Sequence, residues 1–108
     1  MFYRVNAKLK VDKAAELLER IHDGSISKNG PDGQEMVNGF ERAGVDLYGT
    51  VEWSMVCYCS TPLAHERATV LDHYFDELTT EIVDDYEQHE GKRFIEYLEE
   101  IAMQKNEP

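Results

Sequence analysis

The sequence predicts an α+β fold: a two-layer domain with a small antiparallel or mixed sheet and helices packed on one of its faces. Three observations carry this. Residues 2–11 and 51–59 alternate apolar and polar side chains, the period of a half-buried strand. Between and after them, apolar residues recur at helical spacing in Ala14–Ile21, Ala64–Leu78 and Phe94–Ile101. The chain of 108 residues is 42% hydrophobic and 31% charged, enough for one core without disulfide staples. A single domain over 1–104 is expected, with 105–108 a frayed tail.

The elements follow in order. Tyr3, Val5, Ala7, Leu9 and Val11 share one face of the first strand; Arg4, Asn6, Lys8 and Lys10 share the other. Asp12 is expected to cap a helix carrying Ala14, Leu17, Leu18 and Ile21, with Gly24 at its C-terminal stop. Residues 24–33 read as a turn-rich loop. A short amphipathic helix with Met36, Val37, Phe40 and Ala43 follows, ended by Gly44.

Residues 45–59 alternate again, but a straight strand of that length would run about 50 Å. A break is therefore expected at Gly49, leaving 51–59 as the secure strand. Thr61-Pro62 opens a helix through Leu78. Residues 79–88 fit either a continuing helix or a third strand; the β-branched cluster favours the strand. Gly91 breaks the chain before the last amphipathic helix. A ferredoxin-like arrangement is the commonest topology that fits, although its fourth strand is not visible. A sheet face carrying Val56 and Tyr58 predicts a homodimer that covers it.

Charge restricts the partners. The net charge is −11. Residues 1–50 hold 7 basic and 8 acidic side chains, and residues 51–108 hold 4 and 14, so ten of the eleven net charges lie in the second half. Such a balance argues against nucleic acid and against an anionic membrane surface. It admits a basic protein partner for the acidic side between Asp72 and Glu100. The N-terminus alternates where a signal peptide would be continuously apolar, and no run reaches membrane-spanning length. The two cysteines stand two residues apart on one strand face, the wrong geometry for an unstrained disulfide. A cytoplasmic protein with reduced thiols is expected.

Candidate chemistry is sparse. Cys57-Tyr58-Cys59 with His65 downstream offers thiolate and imidazole ligands, but the usual zinc pattern has a second ligand pair. Both cysteines share the face of Trp53 and Met55, which favours inert core thiols. Cys59, just before a helix start, is the candidate for a reactive thiol, with His65 as the nearest base. His65 and His73 stand about 12 Å apart along a helix and cannot share an ion. His73 with Asp76 and Glu77 at i+3 and i+4 forms a partial metal site, for which a surface ion pair is the simpler outcome. His65-Glu66-Arg67 lacks the second His of a zinc-protease helix, and Asp84-Asp85-Tyr86-Glu87 lacks the spacing of a calcium loop.

Two functions are compatible with these residues. One is a non-catalytic binding or interaction module, homodimeric, without cofactor. The other is a small cofactor-independent enzyme of dimeric ferredoxin-like type, or a reactive-thiol protein, using Cys59, His65, His73 and Tyr58. An enclosed pocket holding two or more of these side chains favours the enzyme; their dispersal favours the binder.

Overall fold

The computed structural model describes residues 1–105. The alternating first segment forms β1 (Phe2–Leu9), with Tyr3, Val5, Ala7 and Leu9 buried and the residues between them half-buried. The second forms β3 (Thr50–Val56). These strands pair antiparallel, Val5 opposite Trp53 and Arg4 opposite Ser54. The core face of β3 carries Val51, Trp53 and Met55, in the parity expected.

The helical layer lies on that face. A 3-10 turn (Val11–Lys13) leads into α1 (Ala14–His22), and α2 spans Pro31–Arg42. Asp12 sits inside the 3-10 turn and not at the helix cap, which is Lys13. The loop before α2 ends at Gly30, since Pro31 supplies the preset φ of a first helical turn. Phe40 of α2 packs edge-on against Trp53, with ring centres 5.5 Å apart.

Beyond β3 the expected helix is shorter and distorted. It runs as α3 (Ala64–Glu66), a π-helical turn (Arg67–Leu71) and α4 (Asp72–Tyr74). The chain then turns extended at Phe75, where helix was expected through Leu78. It forms β4 (Phe75–Val83), antiparallel to β1. The β-branched run Thr79, Thr80, Ile82 and Val83 and the free edge of β1 together outweigh the helical spacing of Phe75 and Leu78. A strand in 79–88 is present as far as Val83 only. A bulge interrupts β4, with Glu77 in left-handed backbone at φ 53°.

Two short strands complete the sheet: β2 (Gly44–Val45) and β5 (Lys92–Arg93). The strand order is β4-β1-β3-β2-β5, with every pairing antiparallel. The break within 45–59 falls at the turn Asp46–Gly49, where Asp46 Oδ1 accepts from the N–H groups of Tyr48 and Thr50. Strand β3 stops at Val56, so Cys57–Cys59 lie beyond it. Helix α5 (Phe94–Lys105) closes the helical layer with Phe94 and Leu98 fully buried. The expected frayed tail at 105–108 begins on a residue of α5, and 106–108 lie outside the described residues.

The second sheet face is partly covered by the chain itself. Between β4 and β5, residues 84–91 cross that face from one edge of the sheet to the other. Arg4 makes a two-pronged contact with Glu87, through Nε and Nη2, both 2.8 Å. Buried His89 sits between Glu52 Oε1 and Ser54 Oγ, each 3.0 Å away. The crossover lands against β2 with no room for a side chain. A Cβ on Gly44 would stand 1.9 Å from the Glu90 carbonyl oxygen, and one on Gly91, at φ 95°, 2.4 Å from that of Val45. The crossover thus lies over part of the face on which the homodimer expectation rested, and Tyr58 projects from the loop beyond it, 88% exposed.

Among the described residues, no helix is long and apolar enough to cross a membrane. The acidic residues Asp76, Glu77, Glu81, Asp84 and Asp85 are exposed along β4 and the turn after it. On an edge strand, such charges and a bulge deter pairing with another sheet.

Candidate functional site

The sequence that ends β3 brings chemistry to one place. After Val56 the chain leaves the sheet as Cys57-Tyr58-Cys59, turns through residues 60–62 and re-enters helix at Ala64. The turn is tight because Leu63 adopts left-handed backbone at φ 57°, a conformation costing a non-glycine residue of order 1 kcal/mol. Its side chain is fully buried, which holds it there. The N-terminal turn of α2 forms the opposite wall. Together they enclose a cleft of about 400 Å³, lined by Asp32, Glu35, Cys57, Cys59, His65 and Glu66 among others.

The two cysteines differ. Cys57 is 3% exposed and Cys59 half-buried, and both are free thiols. Backbone N–H groups of Cys59 (3.3 Å) and Leu63 aim at Cys57 Sγ. Burial outweighs them and pushes the Cys57 thiol up to about 11. The expectation of core thiols thus fits Cys57, while Cys59 lines the cleft.

Glu66 is the residue sequence reasoning missed. It is 1% exposed. Among the described residues its carboxyl has no Lys, Arg or His within ion-pairing distance. Its hydrogen bond comes from Cys59 Sγ at 3.5 Å, with Cys57 Sγ close by. The ligand atoms of Cys57, Cys59 and Glu66 lie within 4.8 Å of one another, as do those of Asp32, His65 and Glu66. One carboxyl therefore belongs to both groups. The available signal was its place seven residues after Cys59, on the helix entered from the Cys-x-Cys turn. Acidic residues are almost never fully buried, so that spacing reads as a solvated glutamate.

His65 is held by Asp32 across the cleft mouth through Nδ1. That hydrogen bond, with the carboxylate's charge, raises the imidazole above its ordinary 6.5. Glu35 is already engaged, accepting from Val56 N–H at 2.9 Å and Tyr86 O–H at 2.8 Å.

Of the side chains expected to carry chemistry, the cleft gathers Tyr58, Cys59 and His65 and leaves out His73. His73 Nε2 pairs with Glu16 Oε2 at 3.1 Å. The metal set His73, Asp76 and Glu77 does not form, because the chain turns extended at Phe75 and the i, i+3, i+4 helical geometry it needed is absent. Asp76 faces Lys10 Nζ instead, at 3.8 Å. Cys59 Sγ is bonded to Glu66 and His65 to Asp32, so no Cys59–His65 hydrogen bond forms among the described residues.

A larger depression, about 920 Å³, lies at the β2–β5 end between Asn6, Glu52, Lys92 and Tyr97. Two ion pairs line it, Lys92 with Glu100 and Glu52 with His89. What fold and cleft define is an antiparallel α+β protein with a thiol–carboxylate cleft at the end of its middle strand. Comparison with protein-family models, curated proteins and solved structures finds no match.

Proposed function

We propose that this protein is a non-catalytic binding module whose ligand is a small cation held in the cleft between Cys57 and Glu66. One observation carries the reading. The cleft is lined by three carboxyl groups, Asp32, Glu35 and Glu66, and by no Lys or Arg. The most buried of the three, Glu66, has two thiols and the His65 ring within 4.8 Å, and forms no ion pair with a Lys or Arg among the described residues. Buried carboxyl groups are ordinarily paired with a positive group or coordinated to one. A positively charged ligand supplies what the fold leaves out. Free thiols go with a reducing compartment, so a cytoplasmic location is part of the reading.

A ferredoxin-like arrangement is proposed for the architecture. The order β4-β1-β3-β2, with helices between β1 and β2 and between β3 and β4, supports it. Strand β5 and α5 are then additions to that pattern.

The cofactor-independent enzyme is the second reading, favoured by the gathering of Tyr58, Cys59 and His65 in one cleft. Against it stands the absence, among the described residues, of a hydrogen bond between Cys59 and His65, which are bonded to Glu66 and Asp32 instead. A homodimer, and a basic protein partner on the acidic β4 side, stay separate proposals. Sedimentation equilibrium measures the first, and binding to a polylysine column at low and moderate salt measures the second.

The cleft is tested by titrating the isotopically labelled protein with putrescine, n-butylammonium and Zn²⁺ in turn, following backbone amide shifts. Saturable movement of Asp32, Glu35, Val56–Cys59, His65 and Glu66 by at least one probe, with amines recovered unchanged, supports the reading. Silence of these amides to all three probes overturns it, and chemical conversion of an amine favours the enzyme.

A further inference from the structure

We propose that Cys57, Cys59 and Glu66, with His65 as fourth ligand and Asp32 behind it, form a binding site for a thiophilic divalent cation, with Zn²⁺ the best fit. The inference rests on the cation-binding reading of the cleft and names the cation's chemistry.

The argument begins with donor type. Two sulfurs, a carboxylate oxygen and an imidazole nitrogen make a tetrahedral zinc set, whereas magnesium and calcium take oxygen ligands almost exclusively. In the set of Cys57, Cys59 and Glu66 the donors already lie within 4.8 Å of one another, without a metal to draw them in. Tetrahedral ligands on one zinc stand roughly 3.5 Å apart, given bonds of about 2.0–2.3 Å. His65 joins through Glu66, since the donors of Asp32, His65 and Glu66 also lie within 4.8 Å of one another.

The surroundings of the donors fit as well. Thiolate ligands are stabilised by N–H groups aimed at sulfur, and Cys57 has two, from Cys59 and Leu63. A zinc-bound histidine typically gives its other ring nitrogen to a carboxylate, and His65 Nδ1 is on Asp32. Nε2 is then the nitrogen left for the metal. Half of His65 is exposed, so the ring has room to turn inward.

Charge balance favours occupation. Two thiolates and a carboxylate carry −3, and Zn²⁺ reduces this to −1 in a site of one neutral imidazole. The two thiol protons are released to solvent on binding, so affinity rises with pH. Short Cys-x-Cys spacing hides the site in the sequence, because the second pair of ligands comes from the following helix as adjacent residues, His65 and Glu66.

The test uses the whole protein, reduced and stripped with chelator, titrated with Co²⁺ as a spectroscopic stand-in and then with Zn²⁺ against a chromophoric chelator. One equivalent of Co²⁺ is expected to give a thiolate-to-cobalt charge-transfer band and intense tetrahedral ligand-field bands, both abolished by stoichiometric Zn²⁺. Cys57→Ser and Cys59→Ser each remove the charge-transfer intensity of one thiolate. Glu66→Gln and His65→Ala weaken zinc at least 10-fold, and Asp32→Asn, which acts through His65, weakens it roughly 10-fold. His65→Ala changes a half-exposed side chain and keeps the test valid if Glu66→Gln fails to fold. The proposal is overturned by the absence of a charge-transfer band. It is equally overturned if His65→Ala and Glu66→Gln bind zinc as tightly as the unaltered protein, which would leave an adventitious cysteine pair. Should zinc fail while putrescine or n-butylammonium still moves the cleft amides, the metal site falls and the cation-binding reading stands.

Discussion

His89 and Glu66 are both buried, one under the crossover and one at the cleft, and they are treated in opposite ways. His89, under the crossover, has a partner for each ring nitrogen: Glu52 on one side, Ser54 on the other. Ser54 Oγ is further tied to Glu87, accepting from its N–H at 3.0 Å. Glu66, at the cleft, is also buried, and its one hydrogen bond is from a thiol. A buried polar group that is fully partnered fixes a structure; one left short of partners marks a place where something else completes the arrangement.

The largest expected effect lies on the saturated side. His89→Ala removes both hydrogen bonds and unfastens the crossover, and we expect a loss of about 2 kcal/mol in urea unfolding. On the other side the sign reverses. Glu66→Met in metal-free protein replaces an under-partnered buried carboxyl with an apolar side chain of similar volume, and we expect a gain of about 1 kcal/mol. If Glu66→Met costs as much as His89→Ala, the two regions are alike and the contrast fails.

The smallest effect sharpens the crossover's role. Hydrogen bonds from Arg4, and then its charge, hold the Glu87 carboxyl below the ordinary 4.5. A lowered carboxyl stabilises the folded state above its unfolded pKa, and the contribution is lost as pH falls through the folded value. The crossover amides should therefore gain solvent exchange below pH 4.5 before the rest of the sheet, and Arg4→Met should remove that difference. Both groups are about one-third exposed, so salt is expected to blunt it.

The sequence was most readable where one period ran uninterrupted. The faces of β1 and β3 follow their alternation residue by residue, because a strand half-buried in a sheet cannot slip without exposing its core side. Phe75 and Leu78 misled, since their spacing suits a helix and only the open edge of β1 makes them strand. Strands β2 and β5, two residues each, have no periodicity to read; they exist because glycines let the crossover lie against them. At the cleft, Cys57, Cys59 and His65 could be singled out by type. Glu66 could not, because its burial depends on Leu63 turning left-handed, and leucine at such a position carries no local signature.

The aromatic cluster at the centre of the core has a consequence for how the protein assembles. Phe40, Trp53, Phe75 and Phe94 touch one another with ring centres 5.2–5.9 Å apart, and each comes from a different element. No neighbouring pair along the chain completes the cluster, so each ring finds its partners only after a long loop has closed. Loop closure has an entropic cost that must be met before the contacts repay it. Since Phe94 sits on α5, the cluster is complete only with the C-terminal helix docked, and the early strands have a finished core only then.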